Sequence, residues 1–161
     1  MKTSPDLPTV LTAAGLGAAA AVHFAWARGS TWPRETDDEL ADLVVGTRPM
    51  PPRQASAAVG VALTGAAVGV AVAGHSTRGG PLGRIAGLAA LITARVLRTR
   101  GLGGLGMAAA GTSTSGVDAA EEFRVMDVRL YSPLCVGLSL GAARAAKRAK
   151  ASRAPAALAE S

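Results

Sequence analysis

His23 and Trp26 are three residues apart, Arg95 and Arg98 three, and Asp127 and Tyr131 four, so on a helix each pair shares one face. Together they offer an imidazole that can give or take a proton, two guanidiniums, a carboxylate able to balance one of them, and a phenol. Asp127 is the natural counter-ion for an arginine, and His23 can complete a cluster of His23, Arg98 and Asp127 with a hydrogen bond, with Arg95 as a substitute for Arg98. Each group also has a structural role open to it. His23 can bond between helices, the arginines can snorkel or form a purely structural ion pair, and a buried Cys135 is most often a small apolar filler. The functional alternative makes His23, Arg95, Arg98 and Asp127 the polar contacts of a ligand-binding pocket, with Trp26, Trp32 and Tyr131 as its walls.

Other chemistry finds less support. The single cysteine excludes an intrachain disulfide and any cysteine-based metal cluster, and the two histidines lie far apart. No complete catalytic or metal-binding signature is present, and no cofactor is expected. Gly101-x-Gly103-x-x-Gly106 satisfies the dinucleotide fingerprint as a string, but no strand precedes it and no strand–helix alternation surrounds it.

The elements that must position these residues follow from charge. Mean hydropathy is only mildly positive, because alanine-rich runs are weakly hydrophobic and the loops are charged. Residues 7–27 and 54–77 contain no Asp, Glu, Lys or Arg, and these runs of 21 and 24 residues are long enough to cross a hydrocarbon core as helices. Ile85–Ala94 and Leu130–Ala143 are shorter charge-free runs bounded by arginines. The first reaches spanning length only if Arg95 faces inward or snorkels. The sequence thus predicts an all-α fold, a four-helix transmembrane bundle over residues 1–143 followed by a basic, disordered tail over 144–161. A signal peptide cut after Ala27 is the alternative for the first run, but Asp6 interrupts its basic region and Trp26 sits beside the cut.

Thr36 and Glu39 form a capping box ahead of Leu40, Leu43 and Val44, which predicts a short amphipathic surface helix in the first loop, lying on the membrane surface or lidding the bundle. Residues 117–129 read as a second amphipathic segment, with Pro133 starting or kinking the last helix. The Gly-rich stretch 101–111 either extends the third helix or forms a re-entrant loop. Gly65-x-x-x-Gly69 and Gly137-x-x-x-Gly141 predict close helix packing.

Up-and-down connectivity puts all five aromatics, Phe24, Trp26, Trp32, Phe123 and Tyr131, at one end. The same end holds His23, Arg95, Arg98 and Asp127. The basic tail favours cytoplasmic termini, and so a multi-pass protein of the cell membrane with the aromatic end outside. Its cations suit anionic lipid. A net charge of +6 invites nucleic acid, yet the cations cluster at helix ends and few aromatics are available for stacking, so no nucleic-acid partner is expected.

His23-x-x-Trp26, Ser30-Thr31-Trp32-Pro33, Arg98-x-x-Gly101 with Gly106, and Asp127-x-x-x-Tyr131-Ser132-Pro133-x-Cys135 resemble the bacterial membrane-protein family known as domain of unknown function 3995. The resemblance covers roughly residues 20–140. It implies a small multi-helix membrane protein and no particular activity. Where that family often has an acidic residue after the glycine matching Gly101, this chain has Leu102, which speaks against a purely charge-based role for that turn. The function expected first is non-enzymatic: binding or passage of a small molecule or lipid headgroup through the outer pocket. A membrane-embedded enzyme or redox accessory using His23 comes second. A structural subunit of a homo- or hetero-oligomer comes third.

Overall fold

Asp6 starts the first helix. Its carboxylate accepts hydrogen bonds from the Thr9 amide at 3.2 Å and the Thr9 hydroxyl at 2.5 Å, satisfying orphan donors of the first turn. The computed structural model describes residues 6–75, 80–116 and 118–152. Helix α1 runs Leu7–Ala27, α2 Asp37–Val44, α3 Arg53–His75, α4 Pro81–Ala109 and α5 Glu121–Met126. A π-helical turn, Asp127–Tyr131, leads into α6, Ser132–Ala151. No strand occurs among the described residues.

Both arms of the capping box on α2 are made, Glu39 N–H to Thr36 Oγ1 at 3.3 Å and Thr36 N–H to the Glu39 carboxylate at 3.2 Å. Gly46, at φ +85°, then turns the chain out of α2. The Gly-rich stretch belongs to α4, which continues through Gly101, Gly103, Gly104 and Gly106. Pro133 sits in the first turn of α6, where it has no N–H to offer Arg129 and its ring would press on that carbonyl in a regular helix. The π turn just ahead widens the backbone and relieves both conflicts. Helix α6 runs eight residues past the boundary expected at 143: Ala145 and Ala149 pack in the buried core, and Arg144 and Arg148 both bind Asp6, the latter at 3.5 Å. The bond from Thr9, with Arg144 and Arg148 beside it, holds the Asp6 carboxyl below the ordinary carboxylate range. Lys2, Arg78 and the tail residues 153–161 lie outside the described residues.

The four long helices pack through small residues. A Cβ on Gly74 would collide with Thr9, and one on Gly60 would lie 2.9 Å from the Phe24 ring, so α1 and α3 run antiparallel in close contact. Gly69 gives the same proximity to Ala89 of α4, and Gly141 to Pro8 and Thr12 of α1. In each expected glycine pair only one member serves, since Gly65 and Gly137 face open space. Six of the nine residues in the buried core are alanines of α4 and α6, Ala86, Ala90, Ala94, Ala142, Ala145 and Ala149. Large apolar side chains point the other way: Val61, Leu82 and Ile85 are between 65 and 68% exposed. Small residues inside and large ones outside invert the pattern of a water-soluble domain.

Among the described residues, two helices, α1 and α3, are long and apolar enough to cross a membrane. The four spans expected are therefore two by this measure. Helix α4 carries Arg84, Arg95, Arg98 and Arg100, and α6 carries Arg144, Lys147, Arg148 and Lys150.

Candidate functional site

The C-terminal half of α4 meets the π turn at a buried ion pair. Arg100 Nη2 donates to Asp127 Oδ1 at 2.7 Å and Nη1 to Ser132 Oγ at 3.3 Å, while Ser132 Oγ donates to Asp127 Oδ1 at 3.1 Å. Asp127 and Ser132 are almost wholly enclosed, and the Arg100 side chain is 35% exposed. The π turn brings Asp127 and Ser132 together. Five residues apart on an α-helix they would diverge by roughly 140°, whereas the wider turn closed by i→i+5 bonds brings them much nearer to one side.

Glycine makes the room. A Cβ on Gly104 would lie 2.8 Å from Arg100 Nη1 and Asp127 Oδ2 and would collide with Ser132 Oγ. One on Gly101 would come within 2.7 Å of the Ser132 carbonyl oxygen and 2.9 Å of the Val136 nitrogen.

The expected cluster of His23, Arg98 and Asp127 does not form. Arg100 holds Asp127 instead, because Arg98 and Arg100 are separated by about 200° around α4 and cannot face the same turn. Arg95 and Arg98 are both exposed, and neither has a polar partner among the described residues. His23 Nδ1 lies 2.9 Å from the Ala19 carbonyl oxygen, one turn back on its own helix, and its ring stands against Trp26 with centroids 4.9 Å apart.

Four of the expected residues do line one space. His23, Trp26, Trp32 and Tyr131 border a cleft of about 590 Å³, whose remaining walls include Arg100 and the apolar side chains of Val22, Leu43, Met50, Val59, Met126 and Leu130. Asp127 supports this wall from behind through Arg100. Trp26 Nε1 donates to the Trp32 carbonyl at 2.7 Å and so fixes the loop after α1. The Tyr131 hydroxyl donates to the Leu43 carbonyl at 3.3 Å, tying α2 over the cleft. Helix α2 is held further by the Ala120 amide on the Gly46 carbonyl at 2.8 Å, by Arg34 on Glu122 at 2.7 Å, and by Phe123 beneath Gly46. Among the described residues no group of three His, Cys, Asp or Glu is placed to hold a metal ion.

Sequence reasoning missed Arg100 and Ser132, whereas α2 takes the lidding position that was one of its two expected placements. The available signal was the small-residue stripe Gly83, Ala86, Ala90, Ala94, Gly101 and Gly104, all buried. It marks the packed face of α4, with Arg98 on one flank and Arg100 on the other.

Residues 16–142 match the family described as protein of unknown function, DUF3995, and the chain belongs to it. No curated protein and no solved structure matches.

Proposed function

We propose that this member of the DUF3995 family is a four-helix transmembrane protein with cytoplasmic termini that binds a small amphipathic molecule or lipid in its outer cleft. The observation that carries this reading is the cleft itself. Its volume suits a small-molecule ligand, its walls are apolar and aromatic, and a few polar groups converge on it.

The polar groups narrow the ligand. A carbonyl oxygen only accepts, so His23 Nδ1, facing the Ala19 carbonyl, carries the proton. In the neutral form of the ring, Nε2 is then an acceptor. Arg100 is already balanced by Asp127, so a second full negative charge gains little there. A ligand with an apolar body and an uncharged hydroxyl head fits both conditions. The membrane setting draws on two apolar helices and on the outward placement of Leu, Val and Ile on all four long helices. In the bilayer centre, outward Arg95 and Arg98 of α4 would cost about 3 kcal/mol each if left unpartnered.

The chain has two tryptophans, and both line the cleft, so intrinsic fluorescence reports on it directly. Titrating a dibrominated diacylglycerol into the detergent-solubilised protein is expected to quench that fluorescence saturably. Val59→Phe, which narrows the cleft, is expected to weaken the quenching. Linear collisional quenching that is identical in the variant would defeat the reading.

A further inference from the structure

Helix α4 presents an outward seam with no packed partner helix among the described residues. Arg84, Leu88, Leu91, Arg95, Arg98 and Leu102 are all exposed, and their spacings of 4, 3, 4, 3 and 4 residues are those of a heptad seam that faces another helix. We infer that this seam docks a transmembrane helix of a different protein, one carrying an Asp or Glu at the level of Arg95 and Arg98. The inference rests on the transmembrane reading of α4.

Three observations choose this occupant. Arg95 is the central residue of α4, fourteen residues from Pro81 and from Ala109, which is about 21 Å of helix in either direction. A helix that lies alongside α4 over its length therefore passes the level of Arg95 and Arg98. The guanidiniums of Arg95 and Arg98 have no partner among the described residues, unlike Arg100 two positions on, which is paired. A second copy of this chain cannot serve. No Asp or Glu occurs in residues 7–34, 43–117 or 128–159, so every long helix lacks a carboxylate and a symmetric pairing would set arginine against arginine. Charge complementarity therefore calls for an acidic residue on a foreign helix, with Leu88, Leu91 and Leu102 packing on either side of it.

The test uses the full chain in phosphatidylcholine bilayers and a synthetic transmembrane Leu/Ala peptide with one central Glu. The Gln version of the peptide is the control. Energy transfer between labelled protein and peptide is expected to show at least tenfold stronger association with the Glu peptide. The joint substitution of Arg95→Gln and Arg98→Gln is expected to abolish that preference. Joint Arg95→Glu and Arg98→Glu is expected to redirect it to a Lys peptide. Equal association of the Glu and Gln peptides with the wild-type chain overturns the proposal. So does a preference that appears only for phosphatidylglycerol over phosphatidylcholine, which would make the occupant a lipid. A separate readout covers the underlying reading. Val96→Cys in a Cys135→Ala background is expected to resist a membrane-impermeant maleimide. Labelling there removes α4 from the membrane, whereas protection without peptide preference overturns the docking alone.

Discussion

Arg100 and Arg98 differ by two positions and by everything that matters for stability. Arg100 reaches Asp127 and Ser132 across the α4–α6 contact, while Arg98, on the opposite flank, has no polar partner among the described residues. Removing one partner of a buried pair costs about 3–5 kcal/mol. Arg100 is 35% exposed, so about 2–3 kcal/mol is expected for Arg100→Gln. Arg98→Gln is expected to stay within about 0.5 kcal/mol in detergent, as for surface positions generally. Thermal unfolding of both variants in one detergent checks this, and equal losses would return Arg98 to the cluster. The aromatic members were legible earlier, because Trp26, Trp32 and Tyr131 sit at element ends whichever way the helices turn. The choice of arginine was not, since either flank of the stripe satisfies the local pattern.

At the scale of elements, glycine position decides which helices touch. Gly104 sits against the Arg100–Asp127–Ser132 network, whereas Gly103 has nothing within 4 Å of where its Cβ would be. Gly104→Ala is expected to destabilise by about 2 kcal/mol or more, as overpacking does. Gly103→Ala is expected to be neutral or to stabilise by up to about 1 kcal/mol, the helix-propensity difference. Denaturation midpoints of the two variants decide it, and a larger loss at Gly103 would mean that α4 is rotated relative to α6. The paired-glycine strings named one working residue each, Gly69 and Gly141. A four-residue spacing is a property of one helix, and a close approach needs the second helix as well. The short α2, by contrast, was readable to within a residue, because its capping box and its apolar stripe are both local.

At the scale of the molecule, an alanine-rich core under exposed leucine, valine and isoleucine suits the apolar surroundings that the proposed function assigns to it. Each buried alanine methyl contributes about 0.8 kcal/mol in water, too little for this core to hold four helices against their conformational entropy. On the proposed transmembrane reading, insertion would order the helices first and leave packing to align them. Reporter fusions after Ala27 and after Gly111 are accordingly expected to be extracytoplasmic, and a fusion after Gly74 cytoplasmic. A cytoplasmic Gly111 fusion would remove α4 from the membrane and with it the arginine seam.

The sequence by itself determined what depends on neighbours along the chain: an all-helical fold, the charge-free runs that form α1 and most of α3, the capped α2, and the family. It also placed the aromatic residues and His23 at one end, because end position follows from connectivity. Only the tertiary structure decided which face of α4 meets α6, and so which arginine Asp127 holds. It also decided that α6 continues to Ala151, through the core packing of Ala145 and Ala149 and the Asp6 contacts with Arg144 and Arg148, and that a π turn brings Ser132 to Asp127. The physical reason is rotational. A helix fixes the angle between its own residues, while the angle it presents to a neighbour is set by where small residues on both helices allow their backbones to meet.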